Sequence, residues 1–107
     1  MKHGDVFIYE FQPPDKRHPV VILTRTSAIS FLHSVTIAPI TSTIRGIPTE
    51  VVLTPAEGFA NDSAINLDNI QTVSKAKLKT YVTHLSPAKI QALHRAISFA
   101  LGFDLGE

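Results

Sequence analysis

A chain of 107 residues, 44% of them hydrophobic, is long enough for one compact domain and short for two, so a single domain over residues 1–107 is expected. A formal net charge of +1 is too small to announce a nucleic-acid binder by itself, so the placement of the charges has to carry any such argument. The absence of cysteine excludes disulfides and thiolate metal sites, no apolar run reaches membrane-spanning length, and residues 1–5 open no signal-peptide pattern; a soluble cytoplasmic protein is expected.

Short β-type runs broken by turn residues dominate the chain. Residues 5–11 read as a first strand. Residues 12–18 read as a loop, because Pro13 and Pro14 cannot serve a central ladder. Residues 20–23 form an unbroken apolar strand, and residues 27–32 a helical turn or loop. Residues 34–40 alternate, which predicts Val35, Ile37 and Ile40 facing inward. A turn or edge segment (44–48) precedes a strand over 49–53 and a loop over 55–61. Residues 63–67 and 70–73 read as strands, 74–78 as a helical turn capped by Ser74, and 81–84 as a last strand. The one long helix closes the chain. Ser86 suits its N-cap and Pro87 its first turn; Ile90, Leu93, Ile97 and Leu101 form one stripe, and Gly102 ends it.

The stretch 16–49 contains Lys16, Arg17, Arg25, Arg45, His18 and His33, and no carboxylate. Cations and hydroxyls at strand ends, with no acid among them, suit an anionic partner such as phosphate. By contrast, Lys75, Lys77 and Lys79 read as a solvated turn. The histidines, His3, His18, His33, His84 and His94, are scattered without metal-ligand spacing, so isolated polar roles are expected and no metal site. Asp62 and Asp68 sit in turn-building sequence.

Taken in order, several segments resemble the MazF/PemK/Kid family of toxin endoribonucleases from toxin–antitoxin modules. Gly4-Asp5-Val6-Phe7 looks like the family's opening strand. Arg17-His18-Pro19-Val20-Val21-Ile22-Leu23 is similar to its Arg-Pro-Val strand. Val35-Thr36-Ile37-Ala38-Pro39-Ile40-Thr41-Ser42 is similar to its Val-x-Val-x-Pro-x-Thr segment, and Ser63 through Val73 to the segment around its Asp-Gln pair. Ser86-Pro87 through Gly102 fits the closing helix. One position departs: the family arginine stands immediately before the proline, where this chain has His18, with Arg17 one residue earlier. Either Arg17 reaches the same space or His18 takes part of the role.

The resemblance implies a mainly β fold, a small SH3-like β-barrel with a C-terminal α-helix, assembled as a homodimer. It implies a cofactor-free, metal-independent enzyme that cuts single-stranded RNA by attack of the ribose 2′-hydroxyl on the adjacent phosphodiester. Arg17, always protonated, is cast as charge stabiliser. His18 is cast as proton carrier, an imidazole's intrinsic pKa being about 6.5. Thr41 is cast as phosphate-orienting hydroxyl. Lys16, Arg25, Ser42, Thr43 and Arg45 are candidates for holding RNA. A cognate antitoxin with an acidic flexible segment is the implied protein partner. The rivals are a non-catalytic toxin of the same fold that poisons gyrase by protein contacts, as the CcdB toxins do, and an RNA-binding barrel without catalysis. CcdB ends in a Trp-Gly-Ile-like tail, whereas this chain has no tryptophan and ends Asp104-Leu105-Gly106-Glu107.

Overall fold

Runs of valine and isoleucine separated by proline, glycine and asparagine become strands. A computed structural model describes residues 1–13 and 16–103, and among these are seven strands and two α-helices. In chain order they are β1 (Asp5–Glu10), β2 (Arg17–Ile22), α1 (Thr26–Ile29), β3 (Ser34–Thr41), β4 (Glu50–Leu53), β5 (Ser63–Asn66), β6 (Gln71–Ser74), β7 (Leu78–His84) and α2 (Pro87–Ala100), with 3-10 turns at Pro55–Glu57 and Lys75–Lys77. Of the loop expected over 12–18, residues 17 and 18 instead begin β2, where they pair with β1, and residues 14 and 15, like the chain end at 104–107, lie outside the described residues.

All pairing is antiparallel, in the order β4-β5-β3-β2-β1-β7, with β6 also on β3. β3 is the hub. One of its edges pairs β2 through Ile37, Ala38 and Pro39. The other pairs β6 through Ser34 to Ile37, then β5 through Ile40 and Thr41. The expected barrel is open: among the described residues no ladder joins β4 or β6 to β7. Closure requires every strand to pair on both edges. Here four-residue strands give little edge to pair, and α2 packs beside β4 instead, where Lys89 Nζ donates to the Val52 carbonyl at 2.7 Å.

Two cores flank the sheet. Val20, Ile22, Val35, Ile37 and Val73 pack with Tyr9, Leu78 and Ile29 of α1. Val6, Val21, Ala38, Ile40, Leu53, Ile65 and Leu67 pack with Leu93 and Ala96 of α2. Ile40 therefore faces the core opposite to Val35 and Ile37. Its inward position was expected, but its parity requires burial on both sides of β3.

Helix α2 follows its sequence signals. Ser86 Oγ accepts from the Lys89 N–H at 3.3 Å. At the other end the Gly102 N–H donates to the Phe99 carbonyl and the Phe103 N–H to the Ser98 carbonyl, with Gly102 at φ +79°, so the last carbonyls are satisfied. Leu93 is fully buried, which contributes about 1.5–3 kcal/mol. Leu101 falls beyond the helix and is exposed, so the stripe ends at Ile97. Ser74 occupies the cap position of its 3-10 turn without a side-chain cap bond. Lys75 holds that turn, its N–H on the His33 carbonyl and its Nζ on the Ile29 carbonyl at 2.8 Å, so it is not simply solvated as its neighbours Lys77 and Lys79 are.

The chain start is fixed by a buried carboxylate. Asp5 accepts from the Lys2 N–H and from His84 Nδ1–H, each at 2.8 Å. Gly4, at φ +88°, lets the chain pass beneath α2: a Cβ there would stand 2.3 Å from Ile90 Cδ1 and 3.3 Å from His84 Cε1. Gly4→Ala should therefore cost about 1–3 kcal/mol, read from denaturant unfolding. An unchanged midpoint would contradict the assigned role of this glycine.

Candidate active site

Two clefts offer themselves. One, about 210 Å³, is lined by Ala56, Glu57, Thr83, His84, Leu85 and Ser86. Its ionisable groups and Ser86 are already engaged. The Thr54 amide and hydroxyl hold the Glu57 carboxyl below the usual carboxylate range, His84 is on Asp5, and Ser86 caps α2. The other, about 230 Å³, is lined by Phe11, His18, Pro39, Ile40, Thr41, Asn69 and Gln71. Here the ring of His18 makes no hydrogen bond or ion pair to another described residue, and it is the sole titratable side chain among those lining the cleft.

The pleat explains why these residues meet. Tyr9 pairs His18 across β1 and β2, and Val20 pairs Pro39 across β2 and β3. The β2–β3 ladder ends at that pair; His18 and Thr41, two residues beyond it on either strand, keep its face by alternation, and both line the cleft. Phe11 extends the same face of β1, its ring edge-on to His18 with centroids 5.8 Å apart and to Tyr9 at 4.5 Å. Gln71 pairs Ile37, and the turn before it brings Asn69 to Pro39. The Thr41 hydroxyl donates to the Thr43 carbonyl at 3.1 Å, so it presents lone pairs to the cleft until its proton is redirected.

Of the residues singled out from sequence, His18 and Thr41 share the cleft. Arg17 pairs Glu10 and, by the alternation of β2, starts on the other face; it is exposed and does not line the cleft. Lys16 precedes it in a left-handed backbone (φ +59°), its carbonyl accepting from the Phe11 N–H at 2.7 Å. Ser42, Thr43 and Arg45 are exposed on the loop that leaves β3 at the cleft. Arg25 precedes α1, beyond the opposite end of β2 from His18, and is not brought to the cleft. Phe11, Asn69 and Gln71 were not anticipated. Their signal is the parity of β1 continued to Phe11 and of β6 continued back to Asn69, readable only once the strand pairing is known.

The histidines are less isolated than their spacing suggested. His3 Nε2 lies 2.8 Å from His94 Nε2, with His3 Nδ1 3.0 Å from the Leu23 carbonyl. Among the described residues no three potential ligands gather as for a metal ion, and no helix is long and apolar enough to cross a membrane.

This sheet and cleft define a small toxin-type fold, and comparison with known proteins gives the family. The chain belongs to the PemK-like, MazF-like toxins of type II toxin–antitoxin systems, whose family model matches residues 2–101. Endoribonuclease MazF3 of Mycobacterium tuberculosis is 39% identical over 90 residues, covering 84% of this chain and 87% of that protein. Probable endoribonuclease MazF5 of Mycobacterium tuberculosis is 40% identical over 86 residues, covering 79% of each. Among solved structures, Mycobacterium tuberculosis toxin MazF-mt6 superposes with a TM-score of 0.86 at 36% identity, over 94% of this chain and 98% of that one. An endoribonuclease in complex with its cognate antitoxin, from a mycobacterial species, also gives 0.86, at 26% identity over 97% of both chains.

Proposed function

We propose that the chain is the toxin of a toxin–antitoxin pair, a metal-independent endoribonuclease that cuts single-stranded RNA at a short preferred sequence. The 2′-oxygen attacks the neighbouring phosphorus, the bond from phosphorus to the 5′-oxygen breaks, and the products carry a cyclic phosphate (or its hydrolysis product) and a 5′-hydroxyl. The observation that carries this reading is the meeting of His18 and Thr41 on one face of the sheet, in a cleft with an aromatic wall and two amides.

Each lining residue suits a part of the task. His18 exchanges the proton that leaves the 2′-hydroxyl or joins the 5′-oxygen. Thr41, its hydroxyl turned from Thr43, donates to a phosphate oxygen and holds it in line. Arg17, exposed and next to His18 in the chain, adds positive charge by reaching its guanidinium round the strand end. Phe11 offers a stacking surface for an unpaired base, and Asn69 and Gln71 offer amides to its edge. Ser42, Thr43, Arg45 and Lys16 hold the RNA backbone. Arg25 is left out of this site.

An antitoxin with an acidic flexible segment would lie over the same rim and exclude RNA. A homodimer would extend the surface, and an RNA substrate implies a cytoplasmic protein. The gyrase-poison reading has no comparable use for a cleft built from a histidine, a threonine and two amides.

The direct test is purified protein with RNA in EDTA. Cleavage should persist, leave 5′-hydroxyl ends, and fail on a substrate with a 2′-deoxy sugar at the cut site. Strict dependence on magnesium, or cutting of the deoxy substrate, would sink the mechanism.

Proton exchange at His18 and charge at Arg17 are separable. His18→Gln should lose roughly a hundredfold or more in rate. Arg17→Ala should slow cleavage less than that. A near-neutral His18→Gln beside a severe Arg17→Ala would transfer the main role to Arg17. Full activity of His18→Arg would mean that this position supplies charge alone.

A further inference from the structure

The loop of residues 42–49 carries Ser42, Thr43 and Arg45, all exposed, and neither helix nor strand supports it. Donors on an unsupported loop cannot hold a phosphate in one place without an ordering cost at each binding event. The support is a carboxylate. Glu50, the first residue of β4, accepts from the Arg45 N–H at 3.0 Å on Oε1 and 3.2 Å on Oε2, and from the Gly46 N–H at 2.9 Å on Oε1. Consecutive backbone N–H groups turned to one side, with Gly46 at φ +70°, make a concave nest for an anion. The Glu50 N–H donates back to the Ile47 carbonyl at 3.0 Å, which closes the turn.

Both ends of the loop are tied as well. At its start the Thr41 hydroxyl is on the Thr43 carbonyl. At its end the Thr49 hydroxyl donates to Asp68 Oδ2 at 2.6 Å, in the turn that carries Asn69. The loop thus bridges the two segments that bring Thr41 and Asn69 to the cleft, and Glu50 holds its middle. Glu50 does not itself line the cleft.

We propose that Glu50 is a positioning residue for RNA cleavage: its carboxylate fills the Arg45–Gly46 amide nest and fixes the loop so that Ser42, Thr43 and Arg45 meet the RNA backbone already in place. This rests on the endoribonuclease reading. It also explains how an acid is tolerated beside an RNA site, since the oxygens that would repel phosphate are turned into the nest. Oε1 accepts from both amides, so a glutamine oxygen in that place keeps two of the three hydrogen bonds and loses only the longer one, from the Arg45 N–H to Oε2. A carboxylate working as a proton carrier could not be replaced in that way.

The test compares Glu50→Ala and Glu50→Gln with the wild type in steady-state RNA cleavage and in hydrogen exchange of the Arg45 and Gly46 amides. Glu50→Ala should raise KM roughly tenfold with kcat within about threefold, and both amides should exchange at least about tenfold faster. Glu50→Gln should stay within about threefold of the wild type in KM, kcat and exchange. Glu50→Gln as damaging as Glu50→Ala, or a loss in kcat with KM unchanged, would assign Glu50 to the chemistry and overturn the proposal. Wild-type KM and exchange in Glu50→Ala would overturn it too. A wild-type chain that cuts no RNA would overturn the endoribonuclease reading and the role in cleavage with it, while the exchange rates would still decide whether the brace exists.

Discussion

Strand β3 is buried on both faces and paired along both edges, and the rest of the molecule is arranged around that constraint. A strand with Val35 and Ile37 in one core and Ala38 and Ile40 in the other cannot slip by one residue, because a slip would exchange its whole pattern of side chains between two differently shaped interiors. The register with β2 is fixed in consequence. So is the parity that puts His18 and Thr41 on one face, beyond the end of the ladder between the two strands. The candidate site sits at the mouth of the sheet because there the alternation continues after the need for apolar side chains has ended.

The charge picture changes between one dimension and three. Residues 16–49 contain no acid, yet folding brings Glu10 beside Arg17, Glu50 against the Arg45 loop and Asp68 against Thr49. Two of these carboxylates are already engaged within the protein, Glu50 by backbone amides and Asp68 by a hydroxyl. A chain with a formal net charge of +1 can then offer an anion site through placed donors rather than through excess cation.

Much of the fold was legible because local signals and tertiary demands agreed. Ser86, Pro87, the Leu93 stripe and Gly102 each mark α2 by a mechanism that acts within a turn or two of chain. The strands were legible from β-branched runs between turn residues. What depended on pairing was not legible. Nothing local says that Arg17 and His18 point to opposite faces, that Phe11 reaches the ring of His18, or that Asn69 and Gln71 join Thr41. Nor could spacing bring together His3 and His94, at opposite ends of the chain. The open sheet belongs to the same class, since closure depends on how much edge β4 and β6 offer and on where α2 packs. Family resemblance supplied Thr41 directly but left the arginine position ambiguous, and the alternation of β2 turns that ambiguity into two side chains with different positions.

The central claim is that His18 and Thr41 act on one phosphate as a unit, and a double-mutant cycle on kcat/KM tests it most directly. Thr41→Ala should lose roughly ten- to a thousandfold, and the double variant His18→Gln/Thr41→Ala should be little worse than the poorer single variant, because removing either partner already disables the pair. Losses that simply multiply would mean that the two residues act independently, and would contradict a shared catalytic cleft.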